Sequence, residues 1–148
     1  MPSYEIRTAD VRDVDALAPL LEQLGYPAGA PEIRARLDAL DEYSAVLVAA
    51  NAGGVSGFVA VATTRDFIVG TRATVLGLVV ADGSRSVGIG AELLAAAERW
   101  AFERGAAVIV VRSNVIRERA HRFYERHGYR RVKSQHVFEK PTPGSHDH

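Results

Sequence analysis

The segment YEIRTA alternates polar and apolar positions, the period of a half-buried strand, and predicts a short first strand ending where Thr8 and Asp10 can cap a helix. Val14, Leu17, Leu21 and Leu24 then recur at helical spacing; Pro19 bends that helix and Gly25 stops it. APEIRARLDAL predicts a second helix, with Pro31 near its first turn and Ile33, Leu37 and Leu40 on one face. SAVLVAAN and GVSGFVAVATT are β-rich runs joined as a hairpin by NAGG. After a loop RDFIVGTR, the run ATVLGLVV is apolar on both faces and predicts a central strand. A helix follows from about Gly90 to Arg104, then a buried strand AAVIVVR, a helix RERAHRFYERH stopped by Gly128, and one or two closing strands in YRRVKSQHVFEK. The order βααβββαβαβ(β) defines an α/β (α+β) fold, a mixed, largely antiparallel central sheet flanked by helices. One domain is expected over residues 1–140, with a disordered tail over 141–148.

Composition narrows the chemistry. The 148 residues contain no cysteine, which removes disulfides, thiolate metal sites and cysteine nucleophiles. The N-terminus lacks a basic start followed by an apolar stretch, and no run approaches the ~18 apolar residues of a membrane span, so a cytoplasmic location without membrane contact is expected. Net charge is zero, yet residues 1–66 hold ten acidic side chains against five Arg, and residues 67–148 hold thirteen Lys/Arg against eight acidic ones. That asymmetry suits an anionic ligand on one side and a cationic one on the other, or merely an unevenly charged solvated surface. A nucleic-acid surface is disfavoured by the zero total charge and the lack of interleaved exposed aromatics on a basic face. His121 and His127 lie six apart on one predicted helix, a poor spacing for two ligands of one metal, so no metal is expected.

The stretch RSVGIG, Arg85–Gly90, lies where the central strand run gives way to a helix. Such a junction aims several backbone N–H groups at one point, and the helix start adds roughly half a positive charge. A P-loop reading fails because Ile89 stands where lysine is needed, and a dinucleotide fingerprint fails because Leu93 replaces its last glycine. The remaining pattern is R-x-x-G-x-G, met by Arg85, Gly88 and Gly90.

Here the chain resembles the GNAT superfamily of N-acetyltransferases, whose loop of this form holds the pyrophosphate of acetyl-coenzyme A. RERAHRFYERHGYRRV is similar to the later A-x-x-x-Y-x-x-x-G-F/Y segment of that family through Ala120, Tyr124, Gly128 and Tyr129. The resemblance implies acetyl-CoA as cofactor, cradled by Arg85, Ser86, Val87, Gly88, Ile89 and Gly90, with its pantetheine arm beside the backbone of Leu78, Val79 and Val80. It further implies cofactor contacts from the segment holding Asn114, Arg117, Ala120 and Phe123. Departures exist: Arg117 stands where many members have asparagine, with Asn114 one helical turn earlier, and Asp82 stands where a proline is common.

Acetyl transfer to an amine needs a neutral amine, a polarised carbonyl and a proton for the leaving thiolate. By resemblance Tyr124 is the general acid, the other reading being helix packing beside Phe123. The strand glutamate of many relatives is replaced by Gly77, and no carboxylate lies between Asp66 and Asp82, which leaves ordered water, Glu42, Asp66 or Glu139 as the base. Tyr26 is the candidate acceptor-binding residue, or a plug under the first two helices; Glu22, Glu32, Asp41 and Glu42 nearby favour a cationic amine. The implied function is acetyl-CoA-dependent N-acetylation of a small, cationic primary amine. The alternatives are a non-catalytic acyl-CoA-binding module and an acetyltransferase of protein or peptide amines. A homodimer is expected from the closing strands, through which relatives often pair.

Overall fold

A buried carboxylate sets the start of the chain. Asp13 is 3% exposed and accepts from both terminal nitrogens of Arg7 at 2.8 and 2.9 Å and from the Asp10 backbone N–H at 2.9 Å. This ties strand β1, Glu5–Thr8, to the 3-10 turn Val11–Asp13, where Asp10 is the N-cap and accepts from Arg12 N–H at 2.9 Å. Helix α1, Val14–Leu24, follows and carries Pro19; it closes at Gly25 (φ 102°), whose N–H bonds the Leu21 and Glu22 carbonyls while Tyr26 N–H reaches back to Leu21. The computed structural model describes residues 4–83, 88–112 and 118–144, in two compact units, 1–112 and 113–148.

In the first unit, α2 (Ala30–Asp38) leads to β2 (Ser44–Asn51), β3 (Gly54–Asp66), β4 (Gly70–Val80), α3 (Ile89–Glu103) and β5 (Ile109–Val111). The five strands form one sheet in order β1-β2-β3-β4-β5, antiparallel except for β4 and β5. Alternation sorts the two layers of core. Val48, Ala50, Phe58 and Val79 face Val14, Leu17 and Leu20 of α1 and Ile33 of α2. Gly57, Val59 and Val61 belong to the opposite face: a Cβ on Gly57 would lie 3.1 Å from Leu93 of α3. Leu93, Leu94 and Ala97 are buried there.

The β3–β4 hairpin is longer than expected. RDFIVGTR was expected as a loop, but only residues 67–69 connect the strands, because Asp66 Oδ1 accepts from Ile68 N–H and Val69 N–H at 2.9 and 2.7 Å and turns the chain at once. Phe67 and Ile68 stand fully exposed at its tip.

In the second unit, α4 spans Glu118–Arg126. The expected closing strands are absent: residues 129–140 belong to no strand. The apolar positions of YRRVKSQHVFEK, Tyr129, Val132, Val137 and Phe138, do not keep a period of two, so they define no apolar strand face. The strand edge on which the homodimer expectation rests is therefore not formed. Of the expected disordered tail, residues 145–148 lie outside the described residues. Among the described residues no helix is long and apolar enough to cross a membrane, and no group of His, Asp or Glu is placed to hold a metal.

Candidate active site

Strand β4 carries one residue more than β3 can pair. Ala60 faces Gly77 and Val61 faces Val75, which leaves Leu76 as a bulge, 60% exposed. A bulge bends its strand and sharpens the local twist. On the N-terminal side of Leu76, Ala73 N–H donates to Val108 O at 3.0 Å and pairing with β5 runs through Val75↔Val111. Among the described residues the pairing with β5 ends at that point, one residue before the bulge.

Backbone direction past the bulge follows from one hydrogen bond. Ala81 N–H donates to Ser56 O of β3 at 2.8 Å. Antiparallel pairs alternate, so Val79 and Gly77 also turn their polar groups to β3, whereas Leu78 and Val80 turn theirs away from it, to the outward edge of β4. Of the three residues expected beside the cofactor arm, Leu78 and Val80 thus present backbone groups on the outward edge, while Val79 turns its own to β3 and buries its side chain. The Val80 carbonyl accepts from the Gln23 carboxamide of α1 at 2.8 Å, a contact the sequence reading missed.

Gly77 lies under the end of α1. A Cβ there would stand 3.0 Å from Leu24 Cδ2, so a side chain at this position needs the Leu24 methyl to give way. One other candidate base is engaged locally: Asp66 Oδ1 accepts from the two N–H groups that close its hairpin turn.

At the start of α3, Gly88 adopts φ +80° with open space where a Cβ would be. The helix N-cap is therefore a residue without a side chain, and among the described residues no side-chain bond caps the first turn. The first N–H groups of this fifteen-residue helix carry the positive end of its dipole. Ile89 buries its side chain in the core at 3% exposure, so only its backbone is available to a ligand; Gly90 follows in the first turn. Arg85, Ser86, Val87, Asn114 and Arg117 lie outside the described residues.

Tyr26 is 70% exposed just beyond the closed end of α1, which excludes the reading of a core plug. Glu32, counted among the nearby acids, is occupied with Gly29 N–H at 3.2 Å and Arg36 at 3.8 Å.

The second unit explains the spacing of its motif. Gly128 (φ 92°) ends α4, and Tyr129 N–H reaches the Tyr124 carbonyl at 3.0 Å, the six-to-one bond of a left-handed helix end. That closure brings the Tyr124 and Tyr129 rings edge to face with centroids 5.9 Å apart. Phe123 sits 5.4 Å from Tyr124 and 4.5 Å from the His127 ring, and Ala120 lies one turn before Tyr124. His127 Nδ1 is 2.8 Å from the Phe123 carbonyl, an ordinary surface contact rather than metal ligation.

Comparison with known proteins follows the same outline. The sequence model described as the acetyltransferase (GNAT) family matches residues 14–129, across both units. A crystal structure of a transcriptional regulator from Bacillus halodurans superposes with TM-score 0.82 at 28% identity, over 93% of this chain and 99% of that one. An aminoglycoside N-acetyltransferase, AAC(6')-Iy, solved in complex with CoA, gives TM-score 0.83 at 17% identity over 94% and 95% of the two chains. Glucosamine-6-phosphate N-acetyltransferase from Arabidopsis thaliana gives 0.80 at 17% over 93% and 99%. No curated protein sequence matches the chain. The fold is that of these N-acetyltransferases. With the family match over most of its length, the chain belongs to the acetyltransferase (GNAT) family.

Proposed function

We propose that the protein transfers the acetyl group of acetyl-coenzyme A directly to a primary amine of a small, cationic molecule. The observation that carries the reading is the pair of outward-turned residues, Leu78 and Val80, past the bulge of the strand that precedes α3, whose N-cap is Gly88. An extended chain with amide groups can add to such an edge, and a pyrophosphate suits the helix start. The residues fit the group: the edge supplies alternate donors and acceptors, and Gly88 leaves its surroundings open to a phosphate.

Bound acetyl-CoA supplies a thioester. With it bound, the Leu78 N–H on the outward edge of β4 would polarise the thioester carbonyl for attack by the amine. The amine proton would pass to water as the carbon–sulfur bond gives way to the carbon–nitrogen bond, and Tyr124 would donate its phenolic proton to the leaving thiolate and regain one from water. In this reading Arg85, Ser86, Val87, Gly88, Ile89 and Gly90 take the pyrophosphate, with Ile89 contributing backbone alone, and the family resemblance assigns further cofactor contacts to Asn114, Arg117, Ala120 and Phe123. Tyr26 meets the acceptor. Support for a small amine comes from the structural neighbours, which include an aminoglycoside enzyme captured with the bisubstrate analogue CoA-S-monomethyl-acetylneamine.

One observation favours a second reading, an acyl-CoA-binding module without turnover: Gly77, which lies under Leu24, stands in the place of a strand base. One assay separates the two. Coenzyme A is expected to raise the melting temperature, since a ligand of the folded state stabilises it by mass action. Thiol release from acetyl-CoA, measured over polyamines, aminoglycosides, amino acids and peptides, is expected with a polyamine or aminoglycoside. Binding without release on any amine identifies the module, release with peptides alone identifies a protein acetyltransferase, and no binding overturns both.

A further inference from the structure

The bond between Gln23 and Val80 occupies the outward edge of β4. Val80 turns its carbonyl away from β3, and the oxygen accepts from Gln23 Nε2 at 2.8 Å. Gln23 itself is solvent-exposed, in the last turn of α1, between Glu22 and the Leu24 that covers Gly77. Two residues later the helix closes at Gly25, and Tyr26 follows. A primary amide donating to an outward strand carbonyl has the chemistry of an added strand's backbone N–H.

We propose that Gln23 is a positioning residue that stands in for the cofactor's amide in the free protein. This rests on the acyl-CoA reading above. A pantetheine arm that adds to β4 must lay its own N–H on the outward acceptors, and Val80 is one of them. The arm and the Gln23 carboxamide therefore compete for one oxygen. When the arm takes it, the last turn of α1 loses this tie to β4 and the Tyr26 loop that follows is released. Cofactor binding is thereby coupled to the loop proposed to meet the acceptor.

The test compares two ligands on the full chain. Gln23→Met keeps the length of the side chain but cannot donate, and Gln23→Ala removes the reach altogether. Calorimetric affinity for coenzyme A is expected to rise about 2- to 10-fold in both variants, the worth of one hydrogen bond no longer displaced. Affinity for adenosine 3′,5′-bisphosphate, which lacks the pantetheine arm, is expected to stay within about 2-fold. Unchanged or weaker coenzyme A binding in the variants, or an equal shift for both ligands, overturns the role of Gln23 while leaving the acyl-CoA reading intact. If the parent protein binds no coenzyme A, the acyl-CoA reading falls and takes this inference with it.

Discussion

Tyr124 is the residue on which the proposed chemistry is most exposed. Tyr124→Phe keeps the ring that meets Phe123 and Tyr129 and removes the phenolic proton. If the tyrosine protonates the leaving thiolate, kcat falls roughly 10²- to 10⁴-fold with coenzyme A affinity barely changed. A thiolate leaves readily, so the lower end of that range is expected. Steady-state kinetics at saturating amine check it; full kcat in the variant returns the tyrosine to packing. The motif around it was legible because its spacing follows helix geometry: alanine and tyrosine one turn apart, then a glycine that only a left-handed helix end demands. Gln23 was not legible, because its partner is a backbone carbonyl 57 positions away and no local pattern marks it. Asp13 left a faint signal, three residues after Asp10 in the spacing of a capping box, but nothing local announces that Arg7 closes on it.

Most of the elements could be read from periodicity, since β2 and β3 begin and end near the polar and glycine positions that bound their apolar runs. Strand β4 could not be read correctly in detail. Its run ATVLGLVV looks apolar on both faces because Leu76 is skipped by the ladder, so the α3 face is read from Val75 before the bulge and the α1 face from Gly77 and Val79 after it. A long-range register, not a local preference, decides where the extra residue goes. The close approach of β3 to β4 gives a test at this scale. A Cβ on Gly57 would stand 2.7 Å from the Val79 carbonyl oxygen and 3.3 Å from Val80 Cα, both backbone atoms that cannot rotate away. Gly57→Ala is expected to cost about 1–3 kcal/mol in urea unfolding, the usual cost of overpacking, and to weaken coenzyme A binding by shifting the outward edge. Parental stability in the variant would mean that the two strands separate without penalty.

Acid stability belongs to the whole molecule, because the Asp13–Arg7 pair joins the first strand to the turn that launches α1. The Arg7 hydrogen bonds hold the Asp13 carboxyl below its ordinary value, against the opposing effect of burial. A depressed carboxyl contributes stability that is present above its unfolded value, about 3.9, and lost as pH falls through its folded value. Thermal unfolding followed from pH 7 downward is thus expected to lose part of its midpoint below about pH 4. Asp13→Asn is expected to lower the midpoint at pH 7 and to flatten that acid limb; an unchanged limb would assign the acid loss to other carboxylates. The uneven division of charge between the two halves of the sequence gave no comparable reading, since it says where charges are numerous and not which are buried together.

The residue that the ladder skips has a consequence for how such a chain can change length. Strand β4 is in effect two shorter strands spliced at Leu76, each keeping its own alternation of inward and outward side chains. Adding or removing one residue within either half would turn the rest of that half over and expose one layer of the core. At the splice the same change only tightens or loosens the bend, because both halves keep their faces. Natural insertions and deletions in β4 should therefore collect at Leu76, where they vary the bend of the strand and leave both hydrophobic layers in register.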